Sequence, residues 1–228
     1  MKTEKKVLFA LTFVMLKLVN EMSSREIELG PCFLQYFEQC DNNFIQFFLF
    51  SSDRPTNPPL QLDNIAPKLI AGDHLKNFKM IIHGYGGHLD FNGSKLIRNA
   101  YLKNRNTMVI VVDWSRLAKL PSINTKQAGE CTAQFLLGME QNNEGFKASK
   151  VHAIGFSLGA HVASFARLDP ALPFFATARQ HWKLDSTDGD FIDVIHTNAG
   201  IYGKLESCGT VDFYMNNGQF QMKIYART

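Results

Sequence analysis

A serine between two glycines is the feature of the sequence with the clearest chemistry. The letters GFSLG at residues 155–159 match the G-x-S-x-G pattern, in which a strand turns so sharply into a helix that the serine hydroxyl projects out of the sheet as a nucleophile. Glycine on either side removes the side chains that would clash in such a turn. We therefore predict that Ser157 is a catalytic nucleophile. The alternative is that this serine only caps the helix that follows it.

A glycine-rich stretch, HGYGG at residues 83–87, follows the apolar letters KMII. A flexible turn at the end of a strand can point the backbone N–H of Tyr85 toward the same place as the backbone N–H of Leu158. Two such donors stabilise the oxyanion of a tetrahedral intermediate, and the loss of one typically costs on the order of 3 kcal/mol in the barrier. Tyr85 and Leu158 are therefore a candidate oxyanion hole. The alternative is an ordinary glycine-rich loop with His83 packed in the interior.

The apolar pattern predicts the sheet that must hold these residues. Runs of strand length, rich in β-branched or aromatic residues, occur at residues 44–50, 79–84, 108–114, 151–156, 191–197 and 211–215. Helix-like segments lie between several of them, at residues 94–104, 125–140 and 158–167. The strands are apolar enough to be buried on both faces. This pattern predicts an α/β protein with a mostly parallel sheet and helices on both faces.

The helical segments also carry signals of where they begin and which face they bury. Asn92 or Ser94 can cap the first segment, and Thr125 can cap the second. The second segment has apolar residues at helical spacing, which we expect to face the core. These residues are Ala128, Cys131, Phe135, Leu136 and Met139.

Composition and charge exclude several classes of function. The chain has 228 residues, of which 45% are hydrophobic and 20% charged, as in globular domains that bury a core. A net charge of +3 with no basic run among aromatic residues gives no reason to expect nucleic-acid binding. Residues 1–22 combine a basic head with an apolar run too short to span a bilayer of about 30 Å. We predict a secretory signal peptide there, with residues 23–228 as the domain; the alternative is a buried amphipathic first helix.

Four cysteines fit an oxidising, extracellular compartment. Cys32, Cys40, Cys131 and Cys208 allow three pairings, and a bond between Cys32 and Cys40 would close a small loop. Their spacing is not that of a metal site, and the histidines are scattered along the chain. We therefore expect neither a metal nor an organic cofactor.

Six blocks of sequence, in order, resemble the pancreatic lipase family, and especially its insect members, which include venom phospholipase A1 proteins. The blocks extend from about residue 30 to residue 218, and they read IIHGYGG, VIVVDWSRLA, GFSLGAHVASFA, LDPALPFF, LDSTDGDFIDVIHTNAG and CGTVDFYMNNG. The resemblance implies an α/β-hydrolase fold, secretion, and hydrolysis of lipid esters through Ser157 at a lipid–water interface, without a membrane span. It also implies Asp169 as the triad acid and the N–H groups of Tyr85 and Leu158 as the oxyanion hole. His83, His161 and His196 fall at positions that are structural in the family.

The sequence departs from this family at three places. In the family the catalytic histidine follows a VDFYPNGG block, whereas the letters after the corresponding block here end in MKIYART and include no histidine. Asp169 follows the helix after Ser157 directly, where the family has a return loop and a strand. A short cysteine-containing segment of the family is also missing after WSRLAKLP. We therefore expect a C-terminally truncated domain that lacks an internal strand, with Cys131 unpaired.

These departures leave two functional readings and one structural alternative. The first is a secreted carboxylic-ester hydrolase of lipids, of triacylglycerol lipase or phospholipase A1 type, whose activity is impaired because a serine without a base is a weak nucleophile. The second is a catalytically inactive, lipase-like protein that binds lipid or serves as a yolk-type protein. A third possibility is that the shortened chain does not fold stably. The sequence leaves both the substrate and the oligomeric state open.

Overall fold

The computed structural model describes residues 25–29, 32–36, 40–41, 43–53, 59–119, 121–165, 184–199 and 203–219. The predicted signal peptide lies outside these ranges. The strands are β1 (Arg25–Leu29), β2 (Cys32–Tyr36), β3 (Gln46–Ser51), β4 (Leu60–Leu62), β5 (Asn77–Ile82), β6 (Thr107–Asp113), β7 (His152–Gly155), β8 (Asp193–His196) and β9 (Val211–Tyr214). The helices are α1 (Asn92–Tyr101), α2 (Pro121–Asn142) and α3 (Leu158–Phe165), with short 3₁₀ helices at Asp73–Leu75, Ala148–Lys150 and Met215–Gly218.

The central sheet has five strands in the order β4-β3-β6-β5-β7. The three strands β6, β5 and β7 run parallel, whereas β3 is antiparallel to both β6 and β4. The predicted α/β class is therefore confirmed, and the sheet is mixed, because four of its five described strands share one direction and β3 opposes them. A continuous apolar run fits a buried strand in either direction, so the direction of β3 could not be read from its residues.

Two smaller pairs of strands accompany the central sheet. The strands β1 and β2, which the apolar pattern did not predict, form an antiparallel hairpin. The strands β8 and β9 pair in parallel and form their own sheet. Within the described residues β7 pairs only with β5, so it is an edge strand of the central sheet. The predicted loss of an internal strand stays a prediction.

The core lies on both faces of the central sheet, as predicted. Met108, Ile110 and Val112 of β6 point to the face covered by α2 and α3. Val109 and Val111 point to the opposite face, which α1 covers with residues such as Ile97. Because successive side chains of a strand point to opposite sides, β6 can be apolar at nearly every position only if helices cover both.

Helix α2 buries the face that its sequence predicted. Ala128, Cys131, Phe135, Leu136 and Met139 are all buried, and the ring of Phe135 stacks on the ring of Phe47 in β3 with centroids 3.8 Å apart. One of the two predicted helix starts is confirmed. Helix α1 begins at Asn92, one of the two predicted positions, although no side chain caps its N-terminus. Helix α2 begins at Pro121, four residues before the predicted Thr125.

A disulfide joins Cys40 to Cys131, 91 residues further along the chain. The proposed loop closure between Cys32 and Cys40 is therefore wrong, and so is the expectation that Cys131 lacks a partner. The packing explains the observed pair, because Cys131 lies on the face of α2 that covers the sheet and Cys40 precedes β3 in the same core. Cys208 is a free, buried thiol whose pKa is raised by burial.

The long separation of the two bonded cysteines predicts a large effect on stability. A bond that closes a loop of this length restricts the unfolded chain, and we expect the double variant Cys40→Ser, Cys131→Ser to lose about 4 to 5 kcal/mol of unfolding free energy. Urea denaturation would measure this loss. Cys208→Ser is the matched control, since it makes the same atomic change at a buried cysteine outside the bond. Equal losses in the two proteins would contradict the stated role of the disulfide.

Candidate active site

Ser157 occupies a strained turn between β7 and α3. Its backbone φ is 54°, one of three positive values at non-glycine residues of the described chain. Left-handed backbone costs an ordinary residue free energy and persists only where the surrounding structure enforces it. The serine is solvent-exposed, as is the ring of Phe156 next to it. The structure thus has the strand, turn and helix order that the GFSLG letters predicted.

The two glycines of the turn are required by close backbone contacts. A Cβ atom on Gly155 would collide with the backbone of Ala160 and Gly159. A Cβ atom on Gly159 would collide with the carbonyl oxygen of Ile82 and lie 2.6 Å from the carbonyl oxygen of His83. The N-terminal turn of α3 therefore packs directly on the end of β5, and no larger residue fits there.

The loop at residues 83–89 lies against this turn. The N–H of Phe156 donates to the carbonyl of Ile82 over 3.0 Å. A Cβ atom on Gly84 would lie 2.7 Å from the carbonyl oxygen of Phe156, 2.9 Å from Cβ of Ser157 and 3.4 Å from the nitrogen of Leu158. Leu158 is the first residue of α3, where backbone N–H groups have no partner within the helix. The two predicted donors, Tyr85 and Leu158, thus belong to segments in direct contact.

His83 is fully buried and holds the start of this loop. Its Nδ1 lies 3.0 Å from the carbonyl oxygen of Gly84, and its Nε2 accepts the N–H of Trp114 over 3.2 Å. The indole N–H of Trp114 donates to the carbonyl of His83 over 2.9 Å. Both ring nitrogens of His83 are therefore used within the core, and this histidine cannot serve Ser157 as a base.

Asp113, the last residue of β6, contacts both ends of the same loop. Its Oδ2 accepts the N–H of Leu89 over 3.0 Å, and its Oδ1 accepts the N–H of Ser115 over 3.0 Å and lies 3.4 Å from Nε2 of His83. Burial raises the pKa of this carboxyl, but the contact with His83 and the hydrogen bonds from Ser115 outweigh burial and lower the pKa to about 2. Asp113 is visible in the sequence as part of the letters VVDW, but the neighbouring residues gave no signal that it would bond to the loop at residues 83–89.

Three further described histidines, His161, His152 and His88, also bond to groups other than Ser157. Nδ1 of His161 accepts the N–H of Leu184 over 3.1 Å, and Nδ1 of His152 lies 3.1 Å from Nζ of Lys79. Nδ1 of His88 accepts the N–H of Asp90 over 3.3 Å. Across the ranges that the structure describes, no histidine ring forms a hydrogen bond with the Ser157 hydroxyl.

His196, at the end of the strand predicted at residues 191–197, lies in a separate buried hydrogen-bond network. Its Nε2 is 2.7 Å from Oδ1 of Asp212, and its Nδ1 is 3.0 Å from the carbonyl oxygen of Lys204. The hydrogen bond from His196 lowers the pKa of Asp212, and further N–H bonds from Cys208 and Gly209 act in the same direction. This network links β8 to β9 and leaves neither ring nitrogen available to Ser157.

Asp169, the predicted acid, lies outside the described residues, as does His181. Within the described ranges no helix is long and apolar enough to cross a membrane, and no cluster of histidine, cysteine, aspartate or glutamate could hold a metal ion.

The geometry defines an α/β protein with an exposed serine on a strained strand-to-helix turn. Comparison with known sequences narrows this class: the chain belongs to the lipase family, because the profile of the family described as Lipase matches residues 33–223. The resemblance to the pancreatic lipase family is thus confirmed, whereas its insect or venom phospholipase A1 branch stays a prediction.

Several vertebrate lipases are similar to the chain. Human lipoprotein lipase is 34% identical over 172 residues, which are 65% of this chain and 36% of that protein. Mouse pancreatic triacylglycerol lipase is 29% identical over 197 residues, 76% of this chain and 42% of that protein. Rat hepatic triacylglycerol lipase is 35% identical over 170 residues, 62% of this chain and 34% of that protein. The chain therefore spans well under half the length of these relatives.

The positive φ of Ser157 predicts an unusual order of stabilities. Glycine adopts this backbone without strain, whereas alanine does not, so we expect Ser157→Gly to be more stable than Ser157→Ala by about 1 kcal/mol. Ser94, in helix α1, is the matched control. In ordinary helical backbone the order reverses, and the glycine variant is the less stable by about 1 kcal/mol. Urea denaturation of the four variants would measure both differences, and the same order at the two positions would contradict the strained turn.

The low pKa of Asp113 predicts how stability depends on acid. A carboxyl whose folded pKa lies below its unfolded value of 3.8 stabilises the fold above that pH, and this contribution is lost as the pH falls toward about 2. The full contribution is roughly 2 kcal/mol, of which roughly half disappears between pH 5 and pH 3. We expect Asp113→Asn to lose correspondingly less stability over that interval in urea denaturation. Parallel pH profiles of variant and wild type would contradict this assignment.

Proposed function

We propose that the chain carries the nucleophile of a secreted carboxylic-ester hydrolase that acts on lipids. The observation that supports this most strongly is the turn at Ser157. There the serine has a positive φ and is exposed beside the glycine-rich loop, and the flanking positions 155 and 159 have room only for glycine. The surrounding structure enforces this strain, and in the G-x-S-x-G turn the strain presents a nucleophile. Membership of the lipase family supports lipid esters as the substrate class.

In this proposal the hydroxyl of Ser157 attacks the ester carbonyl, and the N–H groups of Tyr85 and Leu158 stabilise the oxyanion that forms. Asp169 would orient the base and balance the positive charge that the base acquires with the proton. The contact between Gly84 and the turn supports the placement of the two donors, because it holds the backbones of both segments together. The base takes the serine proton and passes it to the departing alcohol, and water then gives a proton to the base and attacks the acyl-enzyme to release the fatty acid and restore the serine.

We further propose that the chain of 228 residues turns over slowly by itself. The described histidines that bond through their rings do so to structural partners, as shown for His83, His161 and His196. Without a base the serine proton has no acceptor, and the loss of one triad member can reduce turnover by a factor near 10⁶. The alternative is an inactive lipid-binding or yolk-type protein.

Secretion belongs to the same proposal. The bond between Cys40 and Cys131 would persist in an oxidising compartment, which agrees with the signal peptide predicted at residues 1–22. We propose a triacylglycerol or a phospholipid as the ester, bound at a lipid–water interface, and phospholipase A1 activity is one form of this proposal.

A fluorophosphonate probe with added imidazole tests the nucleophile and the base separately. We expect slow labelling of the folded protein in buffer, faster labelling when imidazole supplies a base, and no labelling of Ser157→Ala. Fast labelling without imidazole would contradict the slow turnover. No labelling with imidazole, in a sample that circular dichroism shows to be folded, would contradict the hydrolase. Binding to phosphatidylcholine vesicles or a triacylglycerol emulsion in that case would favour the lipid-binding alternative.

A further inference from the structure

The carboxylate of Asp113 anchors the second end of the loop at residues 83–89 and lies near its first end. Oδ2 of Asp113 accepts the N–H of Leu89 at the end of the loop, and Oδ1 lies 3.4 Å from the ring of His83 at its beginning. The N–H of Ser115 fixes Oδ1 from a third direction over 3.0 Å. The side chain of Asp113 is mostly buried, so these contacts occur where water screens them little.

The backbone of this loop has further contacts on both sides of Tyr85. Gly84 packs on the serine turn and Gly87 packs on the ring of His83, and neither position has room for a Cβ atom. The N–H of Gly87 donates to the carbonyl of Gly84 over 3.1 Å, which forms a turn, and Gly86 has a φ of 63°. Tyr85 lies inside this turn and is 65% exposed, so side-chain packing does little to fix its backbone. The direction of the Tyr85 N–H therefore depends on how the backbone on either side of this turn is held.

The geometry points to Asp113 as a positioning residue of the oxyanion hole: its carboxylate holds the Leu89 end of the loop so that the Tyr85 N–H faces the point next to Ser157 and Leu158. This inference rests on the proposed function, because an oxyanion forms there only if Ser157 attacks an ester. Asp113 itself does not reach the substrate. It acts through the loop, whose Gly84 contacts the serine turn.

Hydrogen exchange of individual backbone amides in Asp113→Asn tests the inference without activity. In the variant, the NH₂ group of the asparagine would face one of the N–H groups from which the carboxylate accepts a hydrogen bond, so that hydrogen bond would be lost. We expect the amides of Gly87 and Leu89 to exchange at least tenfold faster than in wild type, beyond any change at Val111 in β6. Asp63→Asn is the matched control, since Asp63 also accepts two backbone N–H groups, from Ile65 and Ala66, in a different loop. It should leave the amides of Gly87 and Leu89 unchanged.

Two outcomes of the exchange experiment would overturn the inference. One is a uniform increase at Gly87, Leu89 and Val111, which would mean that Asp113 only contributes to global stability. The other is no change in the loop at all.

A titration of the wild-type protein needs no variant and keeps the inference testable if Asp113→Asn does not fold. Between pH 4 and about pH 1, the interval in which a carboxyl with a pKa of about 2 titrates, the amide proton signals of Leu89 and Tyr85 should move together with the carboxyl carbon signal of Asp113. A shift at Leu89 without one at Tyr85 would mean that the anchor does not reach the donor, and would overturn the inference.

The labelling rate of Ser157 connects the anchor to the chemistry. With imidazole present, Asp113→Asn should label with the fluorophosphonate at least tenfold more slowly than wild type, and Asp63→Asn should label at the wild-type rate. Faster amide exchange at Gly87 and Leu89 with an unchanged labelling rate of Ser157 would overturn the positioning role. If the wild type itself does not label, the proposed hydrolase fails, while exchange and titration still decide whether Asp113 sets the loop.

Discussion

The close approach of α3 to the end of β5 is the constraint on which the rest of the site depends. Gly159 lies against the carbonyl oxygens of Ile82 and His83, at a distance that leaves no room for a Cβ atom. Because the helix begins that close to the sheet, the chain between β7 and α3 has to reverse within two residues, and Ser157 takes up the change with its positive φ. The same proximity brings Gly84 against the turn. The site is thus built from backbone contacts, and the exposed side chains around it contribute little to its shape.

Such a turn persists only on a rigid support, which the central sheet provides. Strand β6 is buried on both faces, with α1 on one and α2 and α3 on the other. The bond between Cys40 and Cys131 fixes α2 over the antiparallel half of the sheet, and the stacked rings of Phe47 and Phe135 fill the space beside it. Strain at one residue costs on the order of 1–3 kcal/mol, which a core of this kind can offset. Asp113 extends the support from the end of β6 to the loop that carries Tyr85.

Local pattern predicted the parts of this architecture that local residues determine. The buried face of α2 followed from its 3.6-residue period, and the turn at Ser157 followed from five consecutive letters. The direction of β3 did not follow, because an apolar strand looks the same whichever way it runs. The partner of Cys40 lies 91 residues away, and the contacts of Asp113 with Leu89 and His83 arise only when β5 and β6 lie side by side. These are contacts between distant segments, and no pattern within a single segment encodes them.

The histidines show why an intact serine turn and a working triad are separate properties of this fold. His83 joins the end of β5 to Trp114, His161 joins α3 to Leu184, and His196 joins β8 to Asp212. In each case the imidazole links two segments, so its removal would affect folding before it affected chemistry. The serine turn and the loop at residues 83–89, by contrast, are complete within β5, β6, β7 and their connections. A nucleophile can therefore be held in a reactive geometry by one part of the sheet, while the base that would activate it has to come from a different segment. The strained backbone at Ser157 is accordingly direct evidence for the fold, and it becomes evidence for turnover only together with a proton acceptor.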